Sequence, residues 1–581
     1  MAAVAQLNQW NIVPYDEAIA DALATSVKIP LALARVLAGR GICDVAGAER
    51  FLQPALSQLT DPFSVPGMTA AVERTLHAIQ TQEKITVYGD YDCDGLTATA
   101  ILLEVLVPLG AQVDHFIPKR AEDGFGFTLG ALDKVLAANG PGLIITADCG
   151  MRSENSVAEA REAGVDVIVI DHHRPYGAPR PAAVALISPV QEDFPEAMQT
   201  MSSSGLAFVF CRALRSGAIA AGIAAAETLD LWQHLDLVAI GTISDLMLLT
   251  GDNRILAYYG LELLNNVSKR RPGVLALIRA AGLRTEIGSY EVGFLMEPRL
   301  GAAGRVGNPD LALRLLRELD GMEARRLAGQ LDACNRERRR IEDGVLQEAT
   351  ESVASAVKEN ACGLVAVGQG WHIGTIGIVA ARLCGRFHRP AVVISCDENG
   401  NGRGSCRSAA NVNLEAIFRN CMPYLEDYGG YTSSAGFVIQ QSQIGDFRQA
   451  FEEGCRTSLA GEEMTEQFEV DAWISLSEAD DALLDAVKCL QPMGLGNQTP
   501  IWGVRNIRVQ GPAKVVGDNH LKLTLVSGAT QRDAIGYGLG YRKVPEGPLD
   551  VLFQLQRNHF RGQSMLQLSV KDFRASGFEA R

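Results

Sequence analysis

From residue 84 onward, short apolar runs rich in β-branched residues alternate with longer, mainly apolar segments. Such short runs predict buried strands, and the longer segments predict helices. The predicted strands are residues 85–88, 111–117, 142–146, 165–170 and 184–187, and the predicted helices are residues 96–109, 129–138 and 156–163. This alternation predicts an α/β fold whose parallel sheet carries helices on both faces.

The two ends of the chain show different patterns. Residues 31–41 and 46–52 predict short helices, for which we expect a packing role. Toward the other end, short predicted strands are separated by Gly and Pro turns; they are residues 467–473, 501–509, 520–525, 532–536, 551–556 and 564–570. Many short strands with such turns predict a small β-barrel.

Acidic residues follow the first predicted strand. Asp90, Asp92 and Asp94 stand at every second position, closed by Gly95, and no basic residue lies among them. Three neighbouring carboxylates repel one another and lose hydration energy unless a positive charge sits between them. A divalent cation is the simplest source of that charge.

Three more segments bring acids or histidines to the same place. Asp148 follows residues 142–146, Asp171, His172 and His173 follow residues 165–170, and Asp245 follows the apolar run 235–244. Ligands of parallel α/β folds bind outside the carboxyl ends of the strands, so these side chains are expected to meet there. Carboxylates with one or two imidazoles suit manganese or magnesium, and two such ions are a common device for phosphoester hydrolysis.

The aspartate run has two other interpretations. A calcium-binding EF-hand loop needs glutamate at its twelfth position, which is Ile101 when counted from Asp90. An aspartyl-phosphate phosphatase would use Asp92 as nucleophile and Asp94 as acid and base. That alternative has no use for the Asp171-His172-His173 triplet. A lone aspartate after a strand is usually a helix cap, so the metal hypothesis depends on the convergence of four segments.

Composition limits the class of protein. At 581 residues the chain exceeds one core, and about three to five domains are expected. No apolar run approaches a membrane span, and the first residues do not have the pattern of a signal peptide. The twelve cysteines form no C-x-x-C pair, which favours reduced thiols and a cytoplasmic location. The net charge of −15 argues against bulk electrostatic binding of nucleic acid, so such binding would use local basic patches.

The motifs GDYDCDG, ADCG, DHH and IGTISDLMLL together resemble the DHH phosphoesterase superfamily. This resemblance implies a set of metal ligands for two Mn²⁺ or Mg²⁺ ions, with Asp148 bridging. The implied ligands are Asp92, Asp94, Asp148, His172 and Asp245. It further implies that Asp90 and Asp171 support the ligands and that His173 contacts the scissile phosphate or assists the leaving group.

Further blocks resemble one branch of the superfamily, the RecJ family of single-strand-specific 5′→3′ DNA exonucleases. The first is Pro298-Arg299-Leu300-Gly301-Ala302-Ala303-Gly304-Arg305, whose Arg299 and Arg305 suit phosphate recognition. Gly301 stands where that family usually has Asn. The arginine-rich residues 323–341 resemble the family's connecting helix, and a solvated helix face is at least as good an interpretation as DNA contact.

A second block resembles the DHH-associated domain, whose glycine loops approach a phosphodiester. The residues that would bind substrate there are Trp371, His372, Arg403, Ser405, Arg407 and Tyr431. The family pattern G-G-H-x-x-A-A-G is altered here, because Tyr431 and Ser434 replace His and Ala. Tyrosine cannot take the protonated role of histidine, which puts the strength of activity or substrate binding in question.

The C-terminal barrel resembles the family's OB-fold, with Pro492-Met493-Gly494-Leu495-Gly496-Asn497 and Lys522 as matching features. Met493 stands where phenylalanine is usual. OB-folds hold single strands by stacking and a basic groove, for which the candidates are Arg505, Lys514, Lys522, Arg557, His559, Phe560 and Arg561. About half of these are expected to be ordinary surface residues.

These features give one expected function and two alternatives. We expect residues 1–60 to be a helical segment, 61–320 a DHH domain, 321–345 a connecting helix, 346–462 a DHH-associated domain and 463–581 an OB-fold. The resemblance implies a monomeric 5′→3′ exonuclease of DNA repair and recombination, acting on single-stranded DNA, with a single-strand-binding protein and a helicase as partners. The alternatives are a phosphodiesterase of short or cyclic nucleotides and a non-catalytic scaffold.

Overall fold

The computed structural model describes residues 8–120, 122–124, 126–175, 179–408, 412–430, 432–459, 467–517, 519–560 and 563–577. The chain divides into two compact units. The larger unit, called the catalytic unit below, comprises Thr60–Met247 and Gly251–Met464. The smaller, called the barrel unit, comprises Met1–Leu59, Leu248–Thr250 and Thr465–Arg581.

The helices are numbered in chain order. They are α1 (Glu17–Val27), α2 (Leu31–Gly39), α3 (Val45–Leu52), α4 (Met68–Thr81), α5 (Cys93–Leu106), α6 (Leu129–Asn139), α7 (Glu154–Glu162), α8 (Ser203–Ala220), α9 (Ala225–Thr228), α10 (Leu235–Ser244), α11 (Gly251–Asn265), α12 (Pro272–Ala280), α13 (Glu297–Val306), α14 (Asp310–Arg317), α15 (Gly321–Ser352), α16 (Ala354–Lys358), α17 (Ile376–Phe387), α18 (Leu414–Cys421), α19 (Ile444–Leu459) and α20 (Asp481–Val487). One π-helical stretch, Glu291–Met296, leads into α13.

The strands follow the same order. They are β1 (Gln9–Ile12), β2 (Lys84–Gly89), β3 (Gln112–Phe116), β4 (Leu143–Ala147), β5 (Asp166–Ile170), β6 (Ala185–Ile187), β7 (Leu364–Gln369), β8 (Ala391–Cys396), β9 (Asn401–Arg407), β10 (Asp427–Gly430), β11 (Ser434–Gln440), β12 (Gln467–Val470), β13 (Ala472–Trp473), β14 (Trp502–Val509), β15 (Lys514–Val516), β16 (His520–Ser527), β17 (Thr530–Gly536), β18 (Leu549–Phe560) and β19 (Gln563–Ala575).

The first sheet of the catalytic unit is the predicted parallel sheet. Its order is β3-β2-β4-β5-β6, and all four neighbouring pairs are parallel. The central strands β2 and β4 are almost entirely buried, as expected for β-branched runs covered on both faces. The α/β class is confirmed, and the carboxyl ends of β2, β4 and β5 lie side by side.

One segment differs from the sequence-based grouping. The apolar run that precedes Asp245 is not another strand of the sheet but the buried helix α10, with Asp245 as its C-cap residue. A short, mainly apolar run does not distinguish a buried strand from a buried helix. Asp245 therefore reaches the strand ends from a helix packed against α5 and α8.

A buried ion cluster joins α5 to α10 at the ends of these helices that lie opposite Asp94 and Asp245. Nη1 of Arg271 donates to both carboxylate oxygens of Glu104 of α5, each at 3.0 Å. It also donates to Asp236 of α10, at 2.8 and 3.1 Å. Nε2 of His234 lies 3.0 Å from the same Glu104 carboxylate. The cluster fixes how these two helices lie against each other.

The second sheet of the catalytic unit has the order β10-β11-β9-β8-β7. The pair β7–β8 is parallel and the other pairs are antiparallel. The long helix α15 precedes it, and its arginines mostly pair with acids one turn away along the helix; the pairs are Arg326–Glu323, Arg336–Asp332, Arg338–Glu342 and Arg340–Glu337.

The barrel unit contains the predicted C-terminal β-structure. Its sheet runs β13-β14-β18-β19-β17-β16-β15, and an additional β14–β16 pairing closes it toward a barrel. The N-terminal helices α1–α3 share one hydrophobic core with this sheet, including Leu33, Leu37 and Trp502. Strand β1 pairs in parallel with β12, so the first described strand belongs to the same unit as the last fifth of the chain.

Two findings concern the whole described chain. Among the described helices, none combines the length and the apolar character needed to cross a lipid bilayer. All twelve cysteines are free thiols.

Candidate metal centre

The carboxyl end of β2 places three aspartates in a tight turn. Asp92 is the N-cap of α5, and its Oδ1 accepts hydrogen bonds from the backbone N–H of Asp94 at 3.0 Å and Gly95 at 3.1 Å. Gly95 is required here because a Cβ would lie 2.7 Å from the carbonyl oxygen of Asp90. The capping role and a metal-binding role for Asp92 are compatible, because these caps occupy one oxygen of the carboxylate.

Helix α8 supports two of the acids. Asp94 accepts hydrogen bonds from the backbone N–H groups of Ser203 at 2.7 Å and Ser204 at 3.0 Å, at the start of this helix. The partial positive charge of a helix N-terminus favours a carboxylate there. The Ser203 hydroxyl donates to Oδ1 of Asp148 across 2.8 Å.

Asp148 occupies the centre of the cluster. It follows β4 with a left-handed backbone, φ 69°, and its side chain is 1 % exposed. Its Oδ2 is buried and has no hydrogen-bond partner in the part of the chain that the structure describes. The same is true of Nε2 of His172, which lies 3.3 Å from Oδ1 of Asp148 and 3.3 Å from Oδ2 of Asp245. Buried polar atoms normally have a hydrogen-bond partner, so these two atoms fit the role of cation ligands.

The pKa values of the acids also indicate a cation site. Burial, followed by repulsion from Asp92, raises the pKa of Asp90 to about 7 and that of Asp94 to about 6. The pKa values of Asp148 and Asp245 also rise well above the usual range, through burial and the neighbouring carboxylates. Cations at the centre would relieve both the desolvation and the repulsion.

The pKa values of the two histidines are shifted in opposite directions. Burial and the adjacent His173 lower the pKa of His172 to about 4, which keeps its imidazole neutral and able to bind a metal. For His173, burial is outweighed by Asp171, whose Oδ1 lies 2.7 Å from Nδ1, and the pKa rises to about 9. Asp171 is itself fixed by the backbone N–H of Met151 at 2.9 Å.

The donor atoms form three groups, each compact enough to hold one ion. They are Asp148 with His172 and His173, Asp94 with His172 and Asp245, and Asp90 with Asp92 and Asp148. Because Asp148 and His172 belong to two groups each, adjacent ions would share ligands. Oxygen-rich sites with imidazole fit Mn²⁺ or Mg²⁺. The residues present therefore fit the cations that the sequence predicted.

Three arginines of the catalytic unit, Arg120, Arg305 and Arg407, lie near one another, and the space beside them is called the cationic pocket below. The guanidinium of Arg407, at the end of β9, donates to the Ser405 hydroxyl at 3.1 Å and to the Cys406 carbonyl at 2.8 Å. Burial, with the nearby guanidinium groups of Arg305 and Arg120, lowers the pKa of Arg407. These charges lie together in a partly desolvated place, which favours a bound anion.

The start of α17 borders this pocket. A Cβ at Gly377 would lie 3.2 Å from the Arg407 guanidinium and 3.2 Å from the Ser405 hydroxyl. A side chain at Gly374 would collide with the backbone of Arg305. These glycines thus let the loop lie close to both arginines, and the N-terminus of a helix adds anion affinity.

The remaining predicted substrate-binding residues have the following positions. Arg299 donates to Asp332 at 3.0 Å, Trp371 is buried and donates to Glu348 at 2.7 Å, and Nδ1 of His372 accepts from the N–H of Gly374 at 3.1 Å. Arg403 is exposed on β9, and Lys522 is exposed on β16 of the barrel unit. Tyr431 lies outside the described residues.

Sequence reasoning missed several residues of this region. Ser203, Ser204 and Arg120 contribute contacts or charge but belong to no motif considered. Glu297 was also missed. A Cβ at Gly301 would lie 2.7 Å from its Oε1, so the absence of a side chain at 301 leaves room for this carboxylate.

Comparisons with known proteins agree with this geometry. Three family profiles match, namely the DHH family N-terminal domain over residues 84–242, the DHHA1 domain over 360–457 and the RecJ OB domain over 470–572. The single-stranded-DNA-specific exonuclease RecJ of Dickeya dadantii is 33 % identical over 565 residues, covering 94 % of this chain and 96 % of the relative. RecJ of Bacillus subtilis is 32 % identical over 577 residues, covering 98 % of this chain and 71 % of the relative.

Solved structures give the same result. The crystal structure of Thermus thermophilus RecJ in complex with Mn²⁺ superposes with a TM-score of 0.83 at 26 % identity, covering 98 % of this chain and 81 % of that one. The Mg²⁺ complex of the same protein gives a TM-score of 0.75 at 25 % identity, covering 98 % and 79 %.

Proposed function

Because this chain belongs to the RecJ family, we propose that it is a metal-dependent exonuclease that degrades single-stranded DNA from the 5′ end and releases mononucleotides. The observation that carries the proposal is the centre around Asp148. Buried carboxylates with raised pKa values face a neutral imidazole there, with two polar atoms that lack partners among the described residues. Such a site is built for divalent cations, and Mn²⁺ and Mg²⁺ are the cations bound in the Thermus thermophilus structures.

The proposed ligands are Asp92, Asp94, Asp148, His172 and Asp245. Mn²⁺ or Mg²⁺, when bound, would lower the pKa of water and neutralise charge on the phosphoryl oxygens. The serines of α8 hold two of these carboxylates through hydrogen bonds, so the cluster is organised before metal binds. Asp90 is proposed to support the ligands, since its carboxylate lies in one donor group with Asp92 and Asp148.

His173 is proposed to act at the scissile phosphate. Its Nδ1 is held by Asp171, which orients the ring and favours the charged imidazolium. Nε2–H of the charged ring would donate a hydrogen bond to a phosphate oxygen or a proton to the leaving oxygen. In this proposal Asp171 orients the acid, His173, and the proposed ligands hold the cations.

The cationic pocket is proposed to hold phosphate of the DNA strand. Arg305, Ser405 and Arg407 converge there beside the N-terminus of α17. A phosphate group would be bound bidentately by guanidinium and would offset the burial of Arg407. Arg299, Trp371, His372, Arg403 and Tyr431 are proposed to position the strand around this pocket, and Lys522 to bind it on the OB-fold.

We keep the proposed boundaries of 1–60, 61–320, 321–345, 346–462 and 463–581 for the functional segments. Repair and recombination are the processes that generate and consume single-stranded DNA, and they are the proposed cellular setting. We further propose that the protein is a cytoplasmic monomer that receives DNA from a helicase and a single-strand-binding protein. Light scattering of the purified protein measures its molecular mass, which should be that of one chain.

The test is digestion of long single-stranded DNA labelled at either the 5′ or the 3′ end, with Mn²⁺ or Mg²⁺. Early release of 5′ label as mononucleotide is expected, with no release from blunt duplex. Asp94→Ala should abolish it, whereas Asp133→Ala, an exposed acid on α6, should retain it. Absence of cleavage with metal present, or cleavage of short nucleotides only, would refute the proposed exonuclease activity on single-stranded DNA.

A further inference from the structure

One stripe of helix α13 carries a carboxylate, a glycine and a guanidinium. Glu297, Gly301 and Arg305 stand four residues apart, so they lie above one another on one face of the helix. Gly301 is buried in the interior of α13, where glycine is less stabilising than alanine because of its greater backbone freedom. The space around this glycine explains why a side chain is absent there.

The space at Gly301 is bordered by the two charged side chains. A Cβ at this position would lie 2.7 Å from Oε1 and 3.6 Å from Cδ of Glu297, and 4.0 Å from Nε of Arg305. At Gly304, by contrast, a Cβ would lie 2.7 Å from the carbonyl oxygen of Tyr91, which belongs to another segment. Gly304 thus allows two segments to pack, whereas Gly301 leaves room for the Glu297 carboxylate on the stripe that it shares with Arg305.

Arg305 lies among groups of its own charge. Burial is the main cause of the lowered pKa values of Arg407 and Arg338, and the charge of Arg305 contributes to both. Guanidinium groups gathered in a partly desolvated place repel one another, and an unrestrained arginine side chain extends its charged end toward water. A negative charge near Arg305 would keep it beside Arg407 before a phosphate binds.

The Glu297 carboxylate supplies that charge. Burial raises the pKa of Glu297, and the positive charges of Arg305 and Arg338 oppose the rise, whereas Asp92 adds to it. Glu297 therefore lies within electrostatic reach of the arginines and of a proposed metal ligand, at the first residue of α13. Long side chains of a helix point back toward its N-terminus, so the attraction draws Arg305 along the helix toward Gly301.

We propose that Glu297 is a positioning residue, which holds the Arg305 guanidinium over Gly301 so that it can bind phosphate together with Arg407. Gly301 then has a function of its own, because a side chain there would displace the carboxylate. The proposal rests on the proposed function for its DNA readout, whereas the chemical reactivity of Arg305 tests the positioning without DNA.

The experiment compares full-length wild type, Glu297→Gln, Gly301→Ala and the matched control Gly329→Ala. Gly329 is exposed inside α15, and a Cβ there would meet nothing within 4 Å apart from its own helix. Both alanines favour the helical state, so the melting temperature should fall in neither variant. Of the two, Gly301→Ala is the one that displaces Glu297.

Two properties are measured. They are kcat and KM on single-stranded DNA at saturating Mn²⁺, and modification of Arg305 by phenylglyoxal, followed by mass spectrometry. For Glu297→Gln and Gly301→Ala we expect KM to rise about fivefold, the order of a weakened charge-assisted contact, with kcat within about twofold. Arg305 should be modified about threefold faster in both, because it loses its counter-charge. The control should match wild type throughout.

Moving the carboxylate along the stripe separates positioning from general damage. Glu297→Ala should raise KM, and Glu297→Ala with Gly301→Asp should return KM to within about twofold of wild type, because the new carboxylate can occupy the place of Oε1. In Arg305→Ala, the further change Glu297→Gln should alter KM less than about twofold, because the group that it positions is gone.

Wild-type KM and wild-type Arg305 reactivity in a folded Glu297→Gln, or an equal rise of KM in both backgrounds, would overturn the proposal. If Glu297→Gln does not fold, Gly301→Ala replaces it under the same criteria. Failure of wild type to cleave DNA would refute the proposed function, and the reactivity of Arg305 would then decide the role of Glu297.

Discussion

Nδ1 of His173 lies 2.7 Å from Oδ1 of Asp171, at the edge of a cluster of carboxylates. Of the acids around the metal centre, Asp171 has a lowered pKa, because the charge of His173 and the hydrogen bond to it outweigh burial. The pair is therefore charged on both sides at neutral pH. It holds the imidazolium in one orientation toward the centre.

Asp171→Asn should weaken this pair and with it the reaction. Loss of a carboxylate that orients a functional imidazole costs about 10–100-fold in activity, and we expect kcat to fall by that factor. Without its counter-charge His173 also has a lower pKa than about 9, so activity should decline at a lower pH on the alkaline side. The pH profile of kcat measures this, with exposed Asp133→Asn as control. An unchanged alkaline limb would contradict the role of His173 as acid.

Asp148→Asn should separate stability from metal binding. The substitution removes a buried charge that neighbouring carboxylates repel, so the metal-free protein should melt a few degrees higher than wild type. The same change removes the shared ligand, so the stabilisation by Mn²⁺ should disappear. Thermal melting in chelator and in Mn²⁺ measures both effects. A lower melting temperature in chelator would show that Asp148 is not electrostatically strained.

The metal-free protein should lose stability as pH rises. Asp90 and Asp94 have folded pKa values of about 7 and about 6, above the unfolded value of about 3.9. Between pH 4 and 7 the folded state therefore binds more protons than the unfolded state, so the free energy of unfolding falls with rising pH. Urea unfolding in chelator from pH 5 to 8 measures this fall.

Metal binding should show the opposite dependence. Carboxylates must release their protons to bind a cation, so apparent Mn²⁺ affinity should increase over the same pH interval. Calorimetry at pH 6.5 in two buffers of different ionisation enthalpy should detect proton release. Equal heats in both buffers would mean that the acids are already ionised.

Arg407→Gln should weaken DNA binding without weakening the fold. The Arg407 guanidinium is buried among neutral partners and other cations, so its removal should leave the melting temperature equal or slightly higher. KM for single-stranded DNA should rise about tenfold, the order of one lost charge-assisted phosphate contact. Arg419→Gln, exposed on α18, is the matched control. A destabilised variant with normal KM would assign Arg407 a structural role.

Arg271→Met should destabilise the catalytic unit strongly. It leaves Glu104 and Asp236 buried without their shared cation, which typically costs about 3–5 kcal/mol. Arg314→Met removes an ion pair whose arginine side chain is 51 % exposed, and such surface pairs contribute about 0–1 kcal/mol. Denaturant unfolding of the two variants measures the difference. Similar losses would mean that the buried cluster is not a clamp between α5 and α10.

Sequence predicted the part of the fold that depends on local pattern. The expected strand 85–88 became Lys84–Gly89, and the expected strand 142–146 became Leu143–Ala147. The rule for strand ends then placed Asp92, Asp148 and His172 at one edge, and the structure brings them together. A parallel sheet imposes this convergence whatever the lengths of its connections.

The other parts of the fold and of the metal centre depend on contacts between residues that are far apart in the sequence. Ser203 and Ser204 look like an ordinary helix start, and only the packing of α8 shows that they hold Asp94. Residues 235–244 are mainly apolar, and that pattern does not separate a strand from a helix. The shared core of α1–α3 and the barrel joins opposite ends of the chain, which no local pattern encodes.

Because Gln9–Ile12 pairs with Gln467–Val470, strand β1 can pair only after most of the chain has been synthesised. Ribosomes add about 5–20 residues per second, so the nascent β1 waits roughly 20–90 s for the strand beside which it belongs. Over the same interval the catalytic unit emerges in full and can close around its own sheets. The N-terminal helices, whose apolar faces fit the barrel core, have no barrel to pack against until the strands after residue 467 have been made. Synthesis thus completes the hydrolytic machinery before the unit that would guide DNA to it.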